Sequence, residues 1–433
     1  MKNSVFVLLL SIFCSSLYAQ NLTFSKAYDL ALAKSNKILS SKYTFQSNKE
    51  GVTQAKAGLY PQLSSKISYG NRYSHMNELL NRRDDGERER SLDYSISLNQ
   101  SIYDPELYSK IEMEKQRVKL SDIEFQKNKQ ELFLEVFESY IRIFKIQNRT
   151  SLLESKTMYF KYLNDAAKKK HNLSLMTKMD MLKAEVDYNT AKIELRKEKQ
   201  LLKIAKNSLE QLIELSNFTL PMINYDISLE KLEKLKEIIR GEDIYLSSLD
   251  VQEAKASKEF SKSVLNNAFD AHLPKLSFDA SYTKYYSPDK AADYEDTARY
   301  MVVLNIPIYQ GGAVRSRVKA SELQYNATLE ELKLAQKRTK IEFEEYKSEF
   351  EAAVESLILY KTSLKSANLY LDSIKQAYDK GLKSIIDLYE AQSKLDEIKF
   401  SYVDSLSSLI DSYAGLLKVT NNFQRIELID NII

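Results

Sequence analysis

Two acids three residues apart, Asp387 and Glu390, stand in the stretch YDKGLKSIIDLYEAQ from Tyr378 to Gln392, one helical turn after a cation, Lys383. At that spacing both carboxylates share one face of a helix. Repeated around a narrow axis, such a pair concentrates negative potential, favouring cations and repelling anions. Crowding of like charges also raises some of the carboxyl pKa values, so a site of this kind responds to pH. The plain alternative is a pair of solvated helix-face charges, with Glu390 paired to Lys394 at i+4. No other constellation competes. His75, His171 and His272 lie far apart without metal-ligand spacing. Gly311-Gly312 lacks the Lys-Ser/Thr of a phosphate loop, and reads instead as a strand-to-helix turn. Neither a nucleophile elbow nor an HExxH motif occurs. The sequence therefore predicts no catalytic residue, no cofactor, no metal, and no enzyme.

The elements that carry the acids are long helices. Phe350, Leu357, Leu364, Leu371 and Tyr378 recur every seven residues before Gly381. Leu388, Leu395, Tyr402, Leu409 and Leu416 recur every seven after it. Sustained heptads read as coiled coil. A Gly between two such runs marks a turn, so two helices fold back on each other at Gly381, with a tip near 381–385.

The rest of the composition agrees with few, long elements. The chain has 433 residues but only 9 Gly and 6 Pro, against 28% charged residues. A net charge of +3 spread over the whole sequence argues against a nucleic-acid partner, which needs a concentrated basic face. Residues 1–19 read as a secretory signal, with Lys2, an apolar core from Val5 to Phe13, and Ala19 before the cut. The only cysteine, Cys14, lies inside that segment, so no disulfide is expected. Lipidation of Cys14 is the rival, with the bulky Phe13 against it. Beyond the signal no apolar run is long enough for a membrane helix. A membrane crossing must therefore use strands.

Taken in order, helices are expected from Asn21 to about Lys34 and from about Asn36 to Gly58, before Pro61. Gln62 to Ser74 alternates apolar and polar, as does Leu92 to Ile102, with a charged loop over 75–90 between them. This is a hairpin over 62–103. Pro105 opens a helix, as Pro does at a first helical position, and it runs to about Lys170. A weaker break follows at 171–177, and Met181, Tyr188, Leu195, Leu202 and Leu209 then restore the heptad. The plan repeats after a linker at 221–241. A helix from about 242 to Ala271 ends before Pro274, a hairpin covers 275–309 with a loop at 286–297, and a helix leads to Gly381. Pro61 and Pro274, Tyr103 and Tyr309, Asp180 and Asp387, and Ala184 and Ala391 share near-constant offsets. That is an internal duplication, giving repeats over 20–220 and 242–419 and a C-terminal segment over 420–433.

Each hairpin has one apolar, Tyr-containing face and one face of Ser, Asn, Asp and Lys. A membrane barrel wall reads this way, and so does a soluble sheet with one wet face. Tyr73, Tyr282, Tyr285 and Tyr300 near the strand ends resemble an interfacial belt. Four strands leave two open edges, which lipid does not tolerate, so a barrel requires several copies of the chain.

The residues also carry a resemblance. LNIPIYQGGAVRSRVKA, from Leu304 to Ala320, and its counterpart LNQSIYDPEL, from Leu98 to Leu107, are similar to the strand-to-helix junctions of the TolC-like outer-membrane efflux proteins. AGLYPQL, AHLPKL, GLKSIIDLYEAQ and GLLKV resemble that family's remaining junction, tip and closing motifs, in order. The resemblance covers essentially the whole chain after the signal. It implies a mainly α fold with transmembrane β: long antiparallel coiled-coil helices forming a periplasmic α-barrel tunnel, and four strands per chain in a twelve-stranded outer-membrane barrel. It further implies a homotrimer in Gram-negative outer-membrane lipid, a periplasmic adaptor (membrane fusion) protein, and an inner-membrane pump of RND or ABC type. The function so implied is a passive exit duct for efflux or type I secretion. By motif position, Asp387 and Glu390 correspond to acidic rings at the aperture. Tyr378 and Lys383 correspond to latch residues contacting the first repeat's tip near Asp180, Gly381 to the tip turn, and Pro307, Tyr309, Gly311 and Gly312 to the strand-to-helix junction. The first tip, HNLSLMTKMD, departs from the pattern in lacking a Gly. A soluble periplasmic coiled-coil scaffold or adaptor is the alternative.

Overall fold

The computed structural model describes residues 20–74, 87–225, 227–241, 243–286 and 294–426. The signal segment, residues 75–86 and 287–293 of the expected hairpin loops, residues 226 and 242, and the last seven residues of the C-terminal segment lie outside the described residues. The elements in chain order are β1 (Gln20–Asn21), α1 (Phe24–Lys34), α2 (Asn36–Ala57), β2 (Gln62–Ser74), β3 (Glu87–Tyr103), α3 (Pro105–Asn172), α4 (Lys178–Ile213), β4 (Phe218–Thr219), α5 (Leu229–Leu235), α6 (Leu249–Asp270), β5 (Lys275–Tyr286), β6 (Tyr294–Asn305), α7 (Ala313–Asp379) and α8 (Ile385–Thr420). Long helices plus two strand hairpins are what the heptads and alternations predict. The described residues group into two units, one drawn from 39–127 and 249–338, the other from 20–38, 128–248 and 339–426.

The first of these units holds an antiparallel sheet in the order β2-β3-β5-β6. The two repeats are joined by β3 against β5, with Ser97 opposite Ser281. Strand limits differ from the expected ones in three places. Glu87 to Arg90 pair with β2 instead of looping. Tyr294 to Thr297 pair with β5 instead of looping. Conversely β6 ends at Asn305, so Ile306 and Ile308 are not strand residues. Pro307, which has no N–H for a ladder, stands between them. Past it, Gly311 and Gly312 take φ of 62° and 83°, a left-handed backbone that side chains resist, and α7 starts at the next residue. An ion network ties the junctions together. Glu106, in the first turn of α3, accepts from Lys275 at 2.6 Å and Arg317 at 3.5 Å, which holds its carboxyl below the usual range. Asn267 of α6 donates to the Glu106 carbonyl at 2.9 Å.

The other unit is a helical assembly around α8, whose C-terminal half is buried on nearly all sides, with Tyr402, Leu406, Leu409, Tyr413 and Leu416 at 1% exposure or less. Phe24 of α1 packs edge-on against Phe133 and Phe137 of α3, at 5.1 and 5.2 Å between centroids. Tyr140 donates to the Leu22 carbonyl at 2.8 Å. Gly415 of α8 lies under the Tyr346 ring of α7, where an added Cβ would stand 2.4 Å from a ring carbon. The glycine is what lets these helices approach, and it explains the GLLKV motif. On α4 the buried stripe is Ala184, Ala191, Ala205 and Leu209. The bulkier Met181, Tyr188, Leu195 and Leu202 flank it, half-buried. Small residues at the centre of a seam bring helix axes closer than leucines do.

Candidate functional site

Two features present chemistry to the outside, one in each unit. The first is the sheet. One face carries Leu63, Ile67, Tyr69, Leu92, Tyr94, Ile96, Leu98, Phe278, Tyr282, Tyr300, Val302 and Leu304, and within the chain it is largely uncovered, with Leu63, Val302 and Tyr300 at 73%, 64% and 74% exposure. The opposite face carries Ser64, Lys66, Ser68, Asp93, Ser95, Ser97, Asn99, Asp279, Ser281, Thr283 and Arg299. Asn99 donates to Asp279 across the β3–β5 pair, and Ser277 donates to the same carboxylate at 3.0 Å. Tyr285 falls on this polar face, opposite Asp93, and so does not belong to a Tyr belt on the apolar one. Tyr300 sits in mid-strand opposite Ala280 rather than near an end.

The apolar band does not run straight across the sheet. Opposite the apolar Tyr94 of β3 stands the charged Lys284 of β5, itself opposite Asp296 of β6 at 3.9 Å. At the other end Phe278 and Val302 continue the band, whereas their β3 neighbour is Gln100, whose amide turns to the Leu59 carbonyl at 2.8 Å. The band thus covers Leu92–Leu98 in β3 but Leu276–Tyr282 in β5, where Leu98 is opposite Ala280. Across the whole sheet, from Leu63–Tyr69 in β2 to Tyr300–Leu304 in β6, the centre of the band moves by about five residues, roughly 16 Å at the rise of a strand, over three strand spacings of ~5 Å. Strands inclined at about 50° or a little less would make such a band level, and membrane barrel strands tilt by roughly 35–45°. Both outer strands, β2 and β6, have an unpaired edge among the described residues. Among the described residues no helix is long and apolar enough to cross a membrane.

The second feature is the pair of helical turns that follow α3 and α7. They are built alike. Leu175 donates to the Lys170 carbonyl and Ser174 to that of His171, both at 2.8 Å. Leu382 donates to Ala377 and Gly381 to Tyr378, both at 2.9 Å. Each turn uses one left-handed residue, Ser174 at φ 60° and Gly381 at φ 75°. These are Schellman closures, and Ser174 does in the first tip what Gly381 does in the second. Each following helix is capped by a hydroxyl residue, Thr177 or Ser384, receiving the N–H of Asp180 at 3.1 Å or Asp387 at 3.2 Å.

Asp387 is therefore a capping residue as well as an exposed acid. Its carboxylate accepts from the Ser384 hydroxyl and backbone N–H, each at 2.8 Å, and from Lys383 at 3.0 Å. These bonds, the Ser384 ones first, hold its pKa down to about 2. Within one chain the crowding expected to raise an aperture carboxyl does not act on Asp387. Glu390 is exposed on the next turn. Lys394 pairs with Glu397 at 2.9 Å, not with Glu390. Asp180 bonds the Thr177 hydroxyl at 2.8 Å. Tyr378 reaches the first tip through Lys170, whose ammonium donates to the phenol oxygen at 2.8 Å and lies 4.5 Å from the ring centroid. So the contact between tips runs from Tyr378 to Lys170, while Lys383 and Asp180 each bond within their own hairpin. Lys170 was not legible as a partner, because it belongs to a run of three lysines with nothing to single it out. Beside these tips Phe160, Leu163, Ala167, Ala184, Ile374, Ile385, Leu388 and Tyr389 form a buried cluster between the hairpins.

A sheet with one outward apolar band and open edges, in a chain of long capped helical hairpins, defines an outer-membrane channel-forming protein rather than an enzyme. The family model "Outer membrane efflux protein" matches residues 27–214 and 242–422, and the chain belongs to that family. It is 24% identical over 361 residues to outer membrane protein TolC of Salmonella enteritidis, covering 79% of this chain and 70% of that one. It is 21% identical to the proteases secretion protein PrtF of Dickeya chrysanthemi, covering 87% and 83%. The solved outer membrane protein VceC of Vibrio cholerae superposes with a TM-score of 0.77 at 12% identity, covering 92% of this chain and 95% of that one.

Proposed function

We propose that this chain forms a homotrimeric exit duct, with three four-stranded sheets closing a twelve-stranded barrel in outer-membrane lipid and the helical hairpins lining a periplasmic passage. The observation that carries this reading is the inclined apolar band, open on one side and ending at two free strand edges. Three copies remove every edge, which lipid demands. The duct is passive. It docks at its helical tips with a periplasmic adaptor and an inner-membrane pump, of the RND or the ABC type, for efflux or type I secretion, and the likeness to TolC and PrtF supports both uses. Asp387 and Glu390, three of each, ring the aperture and favour cations. The Lys170–Tyr378 contact ties the two hairpins of each chain and keeps the aperture closed at rest, with Gly381 setting the turn and Pro307, Tyr309, Gly311 and Gly312 the passage from barrel to helix.

Val302 and Val303 are neighbours in β6 on opposite faces. In this reading Val302→Lys places a charge in lipid, a cost of about 2–4 kcal/mol near the midplane, and Val303→Lys places it in water. The yield of membrane-extracted trimer should fall sharply for the first and stay near the parent level for the second. Equal tolerance of both would remove the barrel and favour a soluble scaffold.

A further inference from the structure

The seam between the two hairpins contains three buried polar atoms that make no hydrogen bond: Asn164 Oδ1 on α3, and Tyr389 Oη and Asp396 Oδ2 on α8. Their residues are only 4%, 4% and 5% exposed. Tyr389 lies 5.0 Å from Phe160, ring to ring. Because α3 and α8 run antiparallel, Asn164 stands one helical turn from that contact toward the tips and Asp396 two turns from it on the other side. An all-apolar seam of leucine and alanine would be held more tightly, since each unmet polar group loses its water on closing and gains nothing in return.

Asp396 is the group of consequence, because its cost depends on its charge. It receives one bond, from Gln392 on its own helix at 2.9 Å. The ionisable groups around it are Lys399 on α8, Lys156 and Tyr159 on α3, and Tyr225 in the segment after β4. Lys156 is already engaged by Glu194 of α4 at 3.1 Å. Burial raises the Asp396 carboxyl above its ordinary value, more than the Gln392 bond and these cations lower it. Neutral, the carboxyl costs the seam one unmet oxygen. Ionised, it needs water that only parted hairpins admit.

We propose that Asp396 is a built-in pH-dependent release for the α3–α8 seam, its ionisation favouring separation of the two hairpins and hence opening of the duct. This rests on the gating reading above. The sign follows from proton binding. The closed seam holds the proton more tightly than the open one, so closure is unaffected below the ordinary value of 3.8 and weakens as pH rises from there to the raised value in the seam.

The test measures the seam itself. The sequence has no cysteine besides Cys14, so spin labels can be placed on the full-length protein through Met158→Cys of α3 and Leu369→Cys of α7, which are 70% and 62% exposed. Pulsed-EPR distances are read across the acid-to-neutral range. The ratio of wide to narrow distances should rise by up to about tenfold per pH unit within the titration window. Asp396→Asn, which keeps the shape without the charge, should stay narrow throughout. Lys156→Gln removes a facing cation, so the rise should continue to higher pH and end at a larger wide-to-narrow ratio than in the parent. A pH-independent distance in the parent, or the same transition in Asp396→Asn, overturns the proposal. Because the distance is read without any current, failure of the channel reading, seen as absent conductance, is distinguishable from failure of the release.

Discussion

Ser174 and Gly381 hold the same left-handed backbone, at φ of 60° and 75°, at equivalent points of two hairpin turns. For Gly that conformation costs almost nothing, whereas for Ser it carries a steric penalty. Ser174→Gly should therefore stabilise the first tip by up to about 1 kcal/mol, and Gly381→Ala should destabilise the second by a similar ~1 kcal/mol. Amide exchange localised to the two turns checks both signs.

The cap on α8 makes an acid prediction. Asp387 is held at about 2 against an ordinary 3.8. A lowered carboxyl pKa contributes stability that is present above the unfolded value and is lost as pH falls through the folded one. Protection of the first turn of α8 should therefore fade between roughly pH 4 and 2. Ser384→Ala should reproduce the loss at neutral pH, at about 0.5–2 kcal/mol for a missing N-cap.

The tie between tips is separable into two parts. Tyr378→Phe removes the acceptor of the 2.8 Å bond but keeps the ring under the Lys170 ammonium, whereas Lys170→Met removes both. A cation over an aromatic face is worth about 0.5–1 kcal/mol at a partly exposed site. Open probability in a bilayer should then rise in the order parent, Tyr378→Phe, Lys170→Met. Equal values for all three would show that the contact does not restrain the aperture.

Asp411 gives a neutral-pH prediction. It borders a recess of about 640 Å³ with Glu138, Arg142, Lys145, Tyr346 and Lys418. Surrounding protein pushes its carboxyl up to about 6. The folded state binds this proton more tightly than the unfolded chain, so stability is unaffected below 3.8 and falls as pH rises toward 6. The side chain still meets solvent, and screening reduces the loss to about 1 kcal/mol. Asp411→Asn should be more stable than the parent by that amount at pH 7 and indistinguishable from it at pH 3.5, as denaturant midpoints will show.

Much of the fold was legible because its signals are periodic and repeated. The seven-residue spacing through Phe350 and Leu416 and the alternation through Leu63 and Val302 are strong local patterns, and the duplication displays each twice. The seam of α4 was less so, since Ala184, Ala191 and Ala205 are weakly apolar and their larger neighbours dominate the pattern. The turn at Ser174 lacked its glycine, so only the backbone reveals the match with Gly381. The ends of the hairpins depend on pairing, which is why Tyr294 to Thr297 looked like loop. Asp387 and Glu390 stand out by spacing, but what each bonds to is decided by caps and by packing between distant segments. Asp396 and Lys170 become notable only when burial and partners are known.

The most direct test of the central claim is single-channel current in a planar bilayer, parent protein against the Asp387→Ala, Glu390→Ala double variant. Small cation-selective steps in the parent, with selectivity lost in the variant, are the expected result. No current from either protein after verified insertion would contradict the duct itself, and identical selectivity in both would contradict the acidic aperture.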